Sequence, residues 1–267
     1  MSLKNKNFSR KDLKKSVTIP SKENYLLAEF VGAMIGDGNI NYCKRPKSTT
    51  YRMVLSGHKK EDFCYYQIHI QSIFERLFSV KFKTLFLKKN EVRLCIYSKA
   101  IFHFLKESDL PIGNKNYAKG FPLFILSAAK KLKTNFLRGI LDTDGTITFK
   151  AKDKSKLHKY PVIRISFRNP YFIRDLVNIL KNFNFSYHDR YNDKVYNKKT
   201  KKEYVGSSVA LSGKKNLKTW MELIGSKNPK HLTKLAIWEE FGFCPPKTTL
   251  EQREKIICGQ LDPYSFY

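Results

Sequence analysis

Two aspartates, Asp37 and Asp144, are the residues whose placement most plainly suggests chemistry. Each closes a helical, glycine-bearing segment and is followed by glycine: FVGAMIGDG at residues 30–38 and LRGILDTDG at residues 137–145. A carboxylate at a helix C-terminus lies against the negative end of the macrodipole, so the position costs stability unless a cation offsets it. Two such carboxylates side by side also repel each other. A divalent ion resolves both conflicts, and Mg²⁺ in particular takes one or two carboxylates together with phosphate oxygens and water. The last helical residues, Gly36 and Thr143, offer backbone carbonyls to the same ion. Gly38 and Gly145 are expected to end their helices in left-handed turns. The string DTDGTITF suggests a calcium loop, but with Asp142 and Asp144 at its third and fifth positions, Ile140 and Ala151 fall where that loop needs carboxylates.

Positioning these two acids requires two helices, and their glycines suggest how the helices meet. Gly32 and Gly36 lie four apart on one helical face, as do Gly139 and Thr143, while Phe30, Ala33, Met34, Ile140 and Leu141 cover neighbouring sectors. A glycine inside a helix costs about 1 kcal/mol relative to alanine, so a stripe of small residues implies a compensating close approach of two backbones. Gly32, Gly36, Gly139 and Thr143 are therefore the expected helix interface. Their contact would bring Asp37 and Asp144 together.

The elements around the acids repeat in the same order. In the first copy, a helix at Asn24–Gly36 is followed by a strand near Tyr51–Leu55, a helix at Glu61–Phe78, hairpin strands at Lys81–Lys88 and Val92–Tyr97, and a helix at Ala100–Ser108. In the second, a helix at Leu132–Thr143 precedes strands at Ile147–Lys150 and Val162–Phe167 and a helix at Tyr171–Phe183. Strands near Phe185–Tyr191 and Ser207–Leu211 and a helix at Lys215–Ile224 complete it. The pattern is α+β, a pair of αββαββα subdomains with antiparallel sheets and pseudo-two-fold symmetry. The expected boundaries are a basic extension at 1–21, subdomains at 22–120 and 132–230 joined by a linker at 121–131, and a C-terminal helical extension at 231–267. In that extension, helix, Gly and Pro-Pro stop precede a capped helix beginning at Thr248 or Thr249.

Charge identifies the partner class. The chain carries 51 Lys plus Arg against 23 Asp plus Glu, a net charge of +28, with 42% apolar residues to build its cores. Such self-repulsion points to a polyanion, and the lysines are spread along the chain instead of lining one amphipathic helix, which favours nucleic acid over a membrane surface. No run of apolar residues is long enough to span a bilayer. The cysteines, Cys43, Cys64, Cys95, Cys244 and Cys258, are odd in number and form no CxxC pair. They read as small, buried or semi-buried residues of a reducing compartment.

The two aspartate-bearing segments resemble the paired signature of the LAGLIDADG homing endonucleases in the single-chain, two-motif form, over about Lys22 to Leu250. Gly32 and Gly139 match the first glycine of that motif, Gly36 and Thr143 its small residue, Asp37 and Asp144 its acid, and Gly38 and Gly145 its terminal glycine. Ile35 and Arg138 depart from the pattern. The string IGSKNPKHLTK is also similar to the C-terminal portion of family members. The resemblance implies a DNA-binding saddle of two four-stranded sheets with the motif helices as its spine. It further implies a site-specific, metal-dependent endonuclease making staggered double-strand breaks in long double-stranded DNA sites. Mg²⁺ is the expected cofactor, with Mn²⁺ able to substitute and Ca²⁺ able to bind without supporting turnover. The resemblance is to a monomer with internal pseudo-symmetry.

On that architecture, Asp37 and Asp144 hold metal at the scissile phosphates. Basic and polar side chains at strand and helix ends order water there; the candidates are His58, Lys59, Arg168, Asn169, Lys99 and Lys214. Strand alternation gives basic faces through Lys81, Lys83, Arg93 and Arg164. The hairpin YNDKVYNKKTKKEY, with Lys194, Lys198, Lys199, Lys201 and Lys202, reaches for phosphate, and the loop CKRPKS at 43–48 is its counterpart. Arg52, Arg93, Arg164, Arg168, Arg190, Tyr191 and Asn192 are the candidates for base edges. His69 and His103 are read as structural. The competing readings are a maturase that binds intron RNA and a non-cleaving DNA-binding protein on the same fold. The expected location is cytoplasmic or nucleoid-associated, and an organelle is also compatible.

Overall fold

The computed structural model describes residues 7–152, 155–197 and 201–267. The chain order is the αββαββα pattern read twice, with helical extensions at both ends. It divides into one compact unit ending at Thr143 and a second beginning at Asp144.

In the first unit, α2 (Tyr25–Gly36) is capped by Asn24, whose side chain accepts from the Leu26 amide at 2.8 Å. From Leu27 to Gly36 every residue of α2 is buried, as expected of a helix without a polar face. Its partner, reached after the short helix α5 (Leu123–Leu126), is α6 (Lys130–Thr143). A Cβ on Gly32 would lie 2.2 Å from the Phe136 carbonyl oxygen, and one on Gly139 would lie 2.1 Å from that of Glu29. These are backbone contacts, so no side-chain adjustment could make room for a methyl group.

Sheet A consists of β1 (Gly38–Arg45), β2 (Ser48–His58), β4 (Glu91–Tyr97) and β3 (Lys83–Leu87), in that spatial order and antiparallel throughout. Ile40, Met53, Leu55, Leu94 and Ile96 form its buried face. A π-helical turn (Tyr65–Ile70) runs into α3 (Gln71–Phe78), and α4 (Lys99–Glu107) completes the layer. Phe74 packs against Phe30 with centroids 5.4 Å apart and against Phe82 at 3.7 Å, which joins α3 to the motif helix. At the N-terminus, α1 (Arg10–Lys14) is fixed by Asp12, which closes a capping box with Ser9 and also accepts from the Ala100 amide at the start of α4.

Sheet B repeats the arrangement with β5 (Gly145–Ala151), β6 (His158–Phe167), β8 (Lys202–Ser212) and β7 (His188–Asn197). It is backed by α7 (Pro170–Lys181) and α8 (Lys214–Leu223). The C-terminal extension, α9 (Pro229–Phe241) and α10 (Leu250–Ile257), covers the edge strand β5. Lys234 Nζ donates to the Ile147 carbonyl at 3.1 Å, and the Trp238 ring stacks on Phe149 at 5.4 Å. A sheet edge presents unpaired backbone groups, and the extension supplies partners for them. Thr249 is the cap of α10, one of the two starts the sequence predicts, and it closes a box with Gln252.

Several expectations are corrected. Gly38 and Gly145 do not have positive φ. α2 ends at Asp37 in right-handed geometry and the chain enters β1 at once, so the Gly38 α-carbon passes close to the Met34 backbone, where a Cβ would fall 2.4 Å from the carbonyl oxygen. Glycine serves close approach here, not a left-handed turn. CKRPKS is not a free loop: its ends belong to β1 and β2, with Arg45 paired to Ser48. The segment drawn as one helix from Glu61 to Phe78 begins as a π-helical turn. Lys81 precedes β3 and pairs with Glu75 at 3.3 Å. Among the cysteines, Cys43, Cys64 and Cys258 are exposed, and only Cys95 and Cys244 are buried.

Candidate functional site

The end of α2 is the best-defined part of the site. Asp37 occupies the C-cap, its backbone fixed by its own amide to Ala33 O and by the Ser56 amide to Asp37 O. The buried Tyr66 hydroxyl donates to Asp37 Oδ2 at 2.6 Å and lies 3.0 Å from the Ser56 carbonyl oxygen. A hydroxyl carries one proton, and the shorter, charge-assisted contact to the carboxylate takes the larger share of it. Burial, then the Asp37 charge, pushes the Tyr66 phenol well above its usual pKa, so it remains a donor. Gly57 gives the ring its space, since a Cβ there would lie 2.9 Å from the Tyr66 hydroxyl.

Beside Asp37, the Lys115 ammonium donates to the Ile35 carbonyl at 2.8 Å and to the Gly36 carbonyl. The loop carrying Lys115 is held against β1 by the Gly113 amide to Ile40 O at 2.7 Å. A cation placed on the last carbonyls of a helix satisfies both their lone pairs and the macrodipole. Two turns deeper, Glu29 is 1% exposed and binds His69 Nε2 at 2.6 Å and Arg138 Nη1 at 3.1 Å. This explains the departure from the motif at Arg138: its guanidinium comes from α6 to neutralise a carboxylate buried in α2.

The electrostatics favour a cation. Burial raises the Tyr65 phenol well above its ordinary pKa, and the charges of Asp142, Glu29 and Asp37 raise it further. Each of these carboxylates adds negative field at Tyr65, and the Arg138 charge opposes it. The Asp37 carboxylate offers oxygen ligands of the kind a hard divalent cation takes, while the Lys115 ammonium already engages the helix-end carbonyls beside it. Among the described residues, no three His, Cys, Asp or Glu side chains cluster into an all-protein cage, so such an ion would rely on phosphate and water for its remaining ligands.

The other candidates fall into four groups. Asp144 is exposed and directly follows Thr143, whose hydroxyl donates back to Gly139 O at 2.8 Å. In the helical layers, Lys99 opens α4 in electrostatic contact with His103, Lys214 lies over the Trp238 ring at 5.8 Å, and Asn169 is the buried cap of α7. On sheet A, His58 ends β2 with Nδ1 accepting from the Lys60 and Glu61 amides, and Lys59 lies over Phe86. Arg52 pairs across the strands with Asn41 and Tyr97, and all three line a cleft of about 350 Å³. Arg93 is opposite Ser56 and gives its Nε to Glu91 at 2.6 Å, and Lys83 is opposite Cys95.

On sheet B, Arg164 is opposite Thr146 and Ala210, and the Arg168 guanidinium lies over Tyr204. The register shifts in β7 between Arg190 and Asp193, and there Asn192 takes a positive φ and gives its amide to Ser207 Oγ. Arg190 Nη1 is 3.7 Å from Asp193, and Lys194 is exposed opposite Val205. Lys198 and Lys199 lie outside the described residues.

The sequence reading missed Tyr66, Lys115 and the Glu29–Arg138 pair. A signal for Lys115 was present: IGNKN at 112–116 repeats as IGSKN at 224–228, the same string in the same place after each third helix. Nothing in the sequence marked Tyr66, because its partner Asp37 lies 29 residues away on another element.

Residues 131–225 match the family of LAGLIDADG-like domains. Comparison with curated proteins finds no match. Among solved structures, the chain is similar to a mesophilic variant of the homing endonuclease I-DmoI, with TM-score 0.53 and 16% identity over 76% of this chain and 92% of that one. It is also similar to the LAGLIDADG homing endonuclease I-LtrWI bound to its target DNA, with TM-score 0.53 and 13% identity over 88% and 96%. The meganuclease I-SmaMI bound to uncleavable DNA gives TM-score 0.52 and 11% identity over 83% and 91%. Residues 131–225 are thus a LAGLIDADG-like domain, and the whole chain has the two-motif, single-chain fold of the LAGLIDADG homing endonucleases.

Proposed function

We propose that the protein is a site-specific DNA endonuclease that hydrolyses phosphodiesters with a divalent metal and makes staggered double-strand breaks in a long target. The observation that carries this reading is the glycine-mediated crossing of α2 and α6, since both helices end one turn beyond it, at Gly36 and Thr143, immediately before Asp37 and Asp144. I-DmoI has been solved in complex with DNA and Ca and with DNA and Mn, which supports the same partner and ion class here.

Asp37 and Asp144 are the proposed ligands, with the Thr143 carbonyl beside Asp144; the Gly36 carbonyl joins them only if the ion displaces the Lys115 ammonium. When bound, Mg²⁺ or Mn²⁺ neutralises charge on the attacked phosphate and lowers the pKa of water. Tyr66 fixes the Asp37 carboxylate, and Lys115 holds positive charge at the same helix end, where it can assist a departing oxyanion. His58, with Nδ1 occupied by backbone amides, presents Nε2 as its remaining polar atom for ordering water. The exposed faces of the two sheets supply phosphate and base contacts.

Cleavage of a randomised plasmid library in Mg²⁺ tests the proposal. Asp37→Asn together with Asp144→Asn should abolish cleavage while leaving duplex binding intact. Cleavage that survives this double substitution defeats the assignment. Binding without cleavage by the native chain favours the non-cleaving reading, and preference for structured intron RNA favours the maturase.

A further inference from the structure

Sheet A carries a row of side chains that the cleavage chemistry does not use. Tyr97 is the last residue of β4 to pair with β2, opposite Arg52, whereas β1 and β2 stay paired from Gly38 and Leu55 out to Arg45 and Ser48. Beyond Arg52 the sheet therefore narrows to a two-stranded ribbon, an element that the DNA major groove admits. At the root of this ribbon, Asn41, Arg52 and Tyr97 form one cross-strand row. Their sequence neighbours Ile40, Met53 and Ile96 are buried, so strand alternation turns the row away from the core.

Arg52 is half-buried, and among the described residues its guanidinium has no hydrogen bond or ion pair with the protein. Arg93, Arg138 and Arg190, by contrast, each engage a carboxylate. The cleft of about 350 Å³ around Arg52 has a second arginine, Arg45, in its lining and no acid. A planar fork of donors, drawn partly out of water and given no acceptor, calls for one from a ligand.

Asn41 stands opposite Arg52 with a defined polarity. The Gly113 amide ties its loop to β1 through Ile40 O at 2.7 Å, and Asn39 Nδ2 donates to Gly113 O at 3.3 Å. Asn39 Oδ1 is thereby the end that faces Asn41, and it accepts from Asn41 Nδ2 at 2.9 Å. The relay turns the Asn41 amide nitrogen towards Asn39 and leaves Oδ1 as an acceptor beside the Arg52 donors. In the major groove a G·C pair shows two acceptors, guanine N7 and O6, and then a donor, the cytosine N4 amino group. An A·T pair shows acceptor, donor, acceptor. A double donor next to an acceptor matches the first order and opposes the second.

We propose that this row reads one G·C pair of the target, Arg52 donating to guanine N7 and O6 and Asn41 Oδ1 accepting from the cytosine N4 amino group. The orientation of the pair follows from the strand order, with guanine under β2 and cytosine towards β1. The inference rests on the site-specific nuclease reading for its partner.

The test is a binding selection from a randomised duplex library, made with the full chain in Ca²⁺ and read by sequencing. The native chain should favour guanine about 10-fold at the position in question. Arg52→Gln should remove that preference, with adenine, the base a glutamine reads, as the expected replacement, and leave the rest of the consensus unchanged. Arg52→Lys, which keeps the charge without the fork, should lose the preference and retain overall affinity. Asn41→Ala should weaken discrimination at the same base pair. Thermal unfolding checks that each variant is folded, and Arg52→Lys, nearest to the native side chain, carries the test if Arg52→Gln is not. Folded Arg52 variants that retain the native consensus overturn the proposal, because Arg52 is then a phosphate contact. So does an Asn41→Ala chain whose loss falls on a different base pair. A native chain that enriches no sequence defeats the site-specific reading and this inference with it, a result distinct from a consensus that the variants leave intact.

Discussion

The Tyr66 hydroxyl stands 2.6 Å from Asp37 Oδ2, and the contact couples the π-helical turn to the acid that ends the first motif helix. One carboxylate oxygen is thereby directed before any ion arrives. Tyr66→Phe should leave the fold intact and raise the Mg²⁺ concentration needed for half-maximal cleavage by about 10-fold or more, the usual effect of losing a group that orients a ligand. A Mg²⁺ titration of cleavage, paired with thermal unfolding, reads both quantities. An unmoved Mg²⁺ requirement would show that the bond is only structural.

Gly139→Ala tests the helix crossing. The new methyl would meet the Glu29 carbonyl oxygen at 2.1 Å, so the two helices must separate. Overpacking of this kind costs about 1–3 kcal/mol, and alanine's better helix propensity returns at most about 1. Chemical denaturation should show a net loss of stability, and a gain would mean that α2 and α6 do not meet here.

Arg138→Ala should cost about 3 kcal/mol, because it leaves the Glu29 carboxylate buried with a weaker set of partners. Replacing both groups, Glu29→Gln with Arg138→Met, should recover part of that loss. Equal destabilisation by the single and the double substitution, measured by denaturant unfolding, would rule out the ion pair as the cause.

Arg93 and Glu91 lie on the same face of β4, with Nε and Oε1 2.6 Å apart. The carboxylate engages Nε, so recognition of guanine O6 and N7 would fall to the two Nη atoms. Glu91→Ala should relax preference for guanine at one target position by about 1 kcal/mol and leave stability almost unchanged, since half-exposed pairs contribute little. Selection from a randomised target library measures the preference. If no position loses its preference, Arg93 is a phosphate contact.

The sequence made legible what repeats and what alternates. The paired motif, the αββαββα order and the capped start of a helix at Thr248 or Thr249 all follow from local spacing, and each has its counterpart in the structure. Gly32 and Gly139 were readable as interface residues because a helical glycine carries a cost that demands compensation, and both lie where two backbones touch. Gly38 was misread because a cap and a close approach require the same residue type. Tyr66 and Glu29 could not be read from spacing, since each acts on an element distant in sequence, whereas Lys115 was marked by the repeat of IGNKN as IGSKN. In addition, a π-helical turn breaks the periodicity from which side-chain direction is inferred.

The place where the chain divides has a consequence for engineering. The second motif helix packs into the first unit, whose boundary is Thr143, and not into a linker-delimited second half. A fragment stopped near residue 120 would lose α6 and expose the buried glycine face of α2 to water. Chimaeras that exchange halves between relatives should therefore be spliced after the second helix, so that each hybrid inherits a matched pair of interlocking backbones.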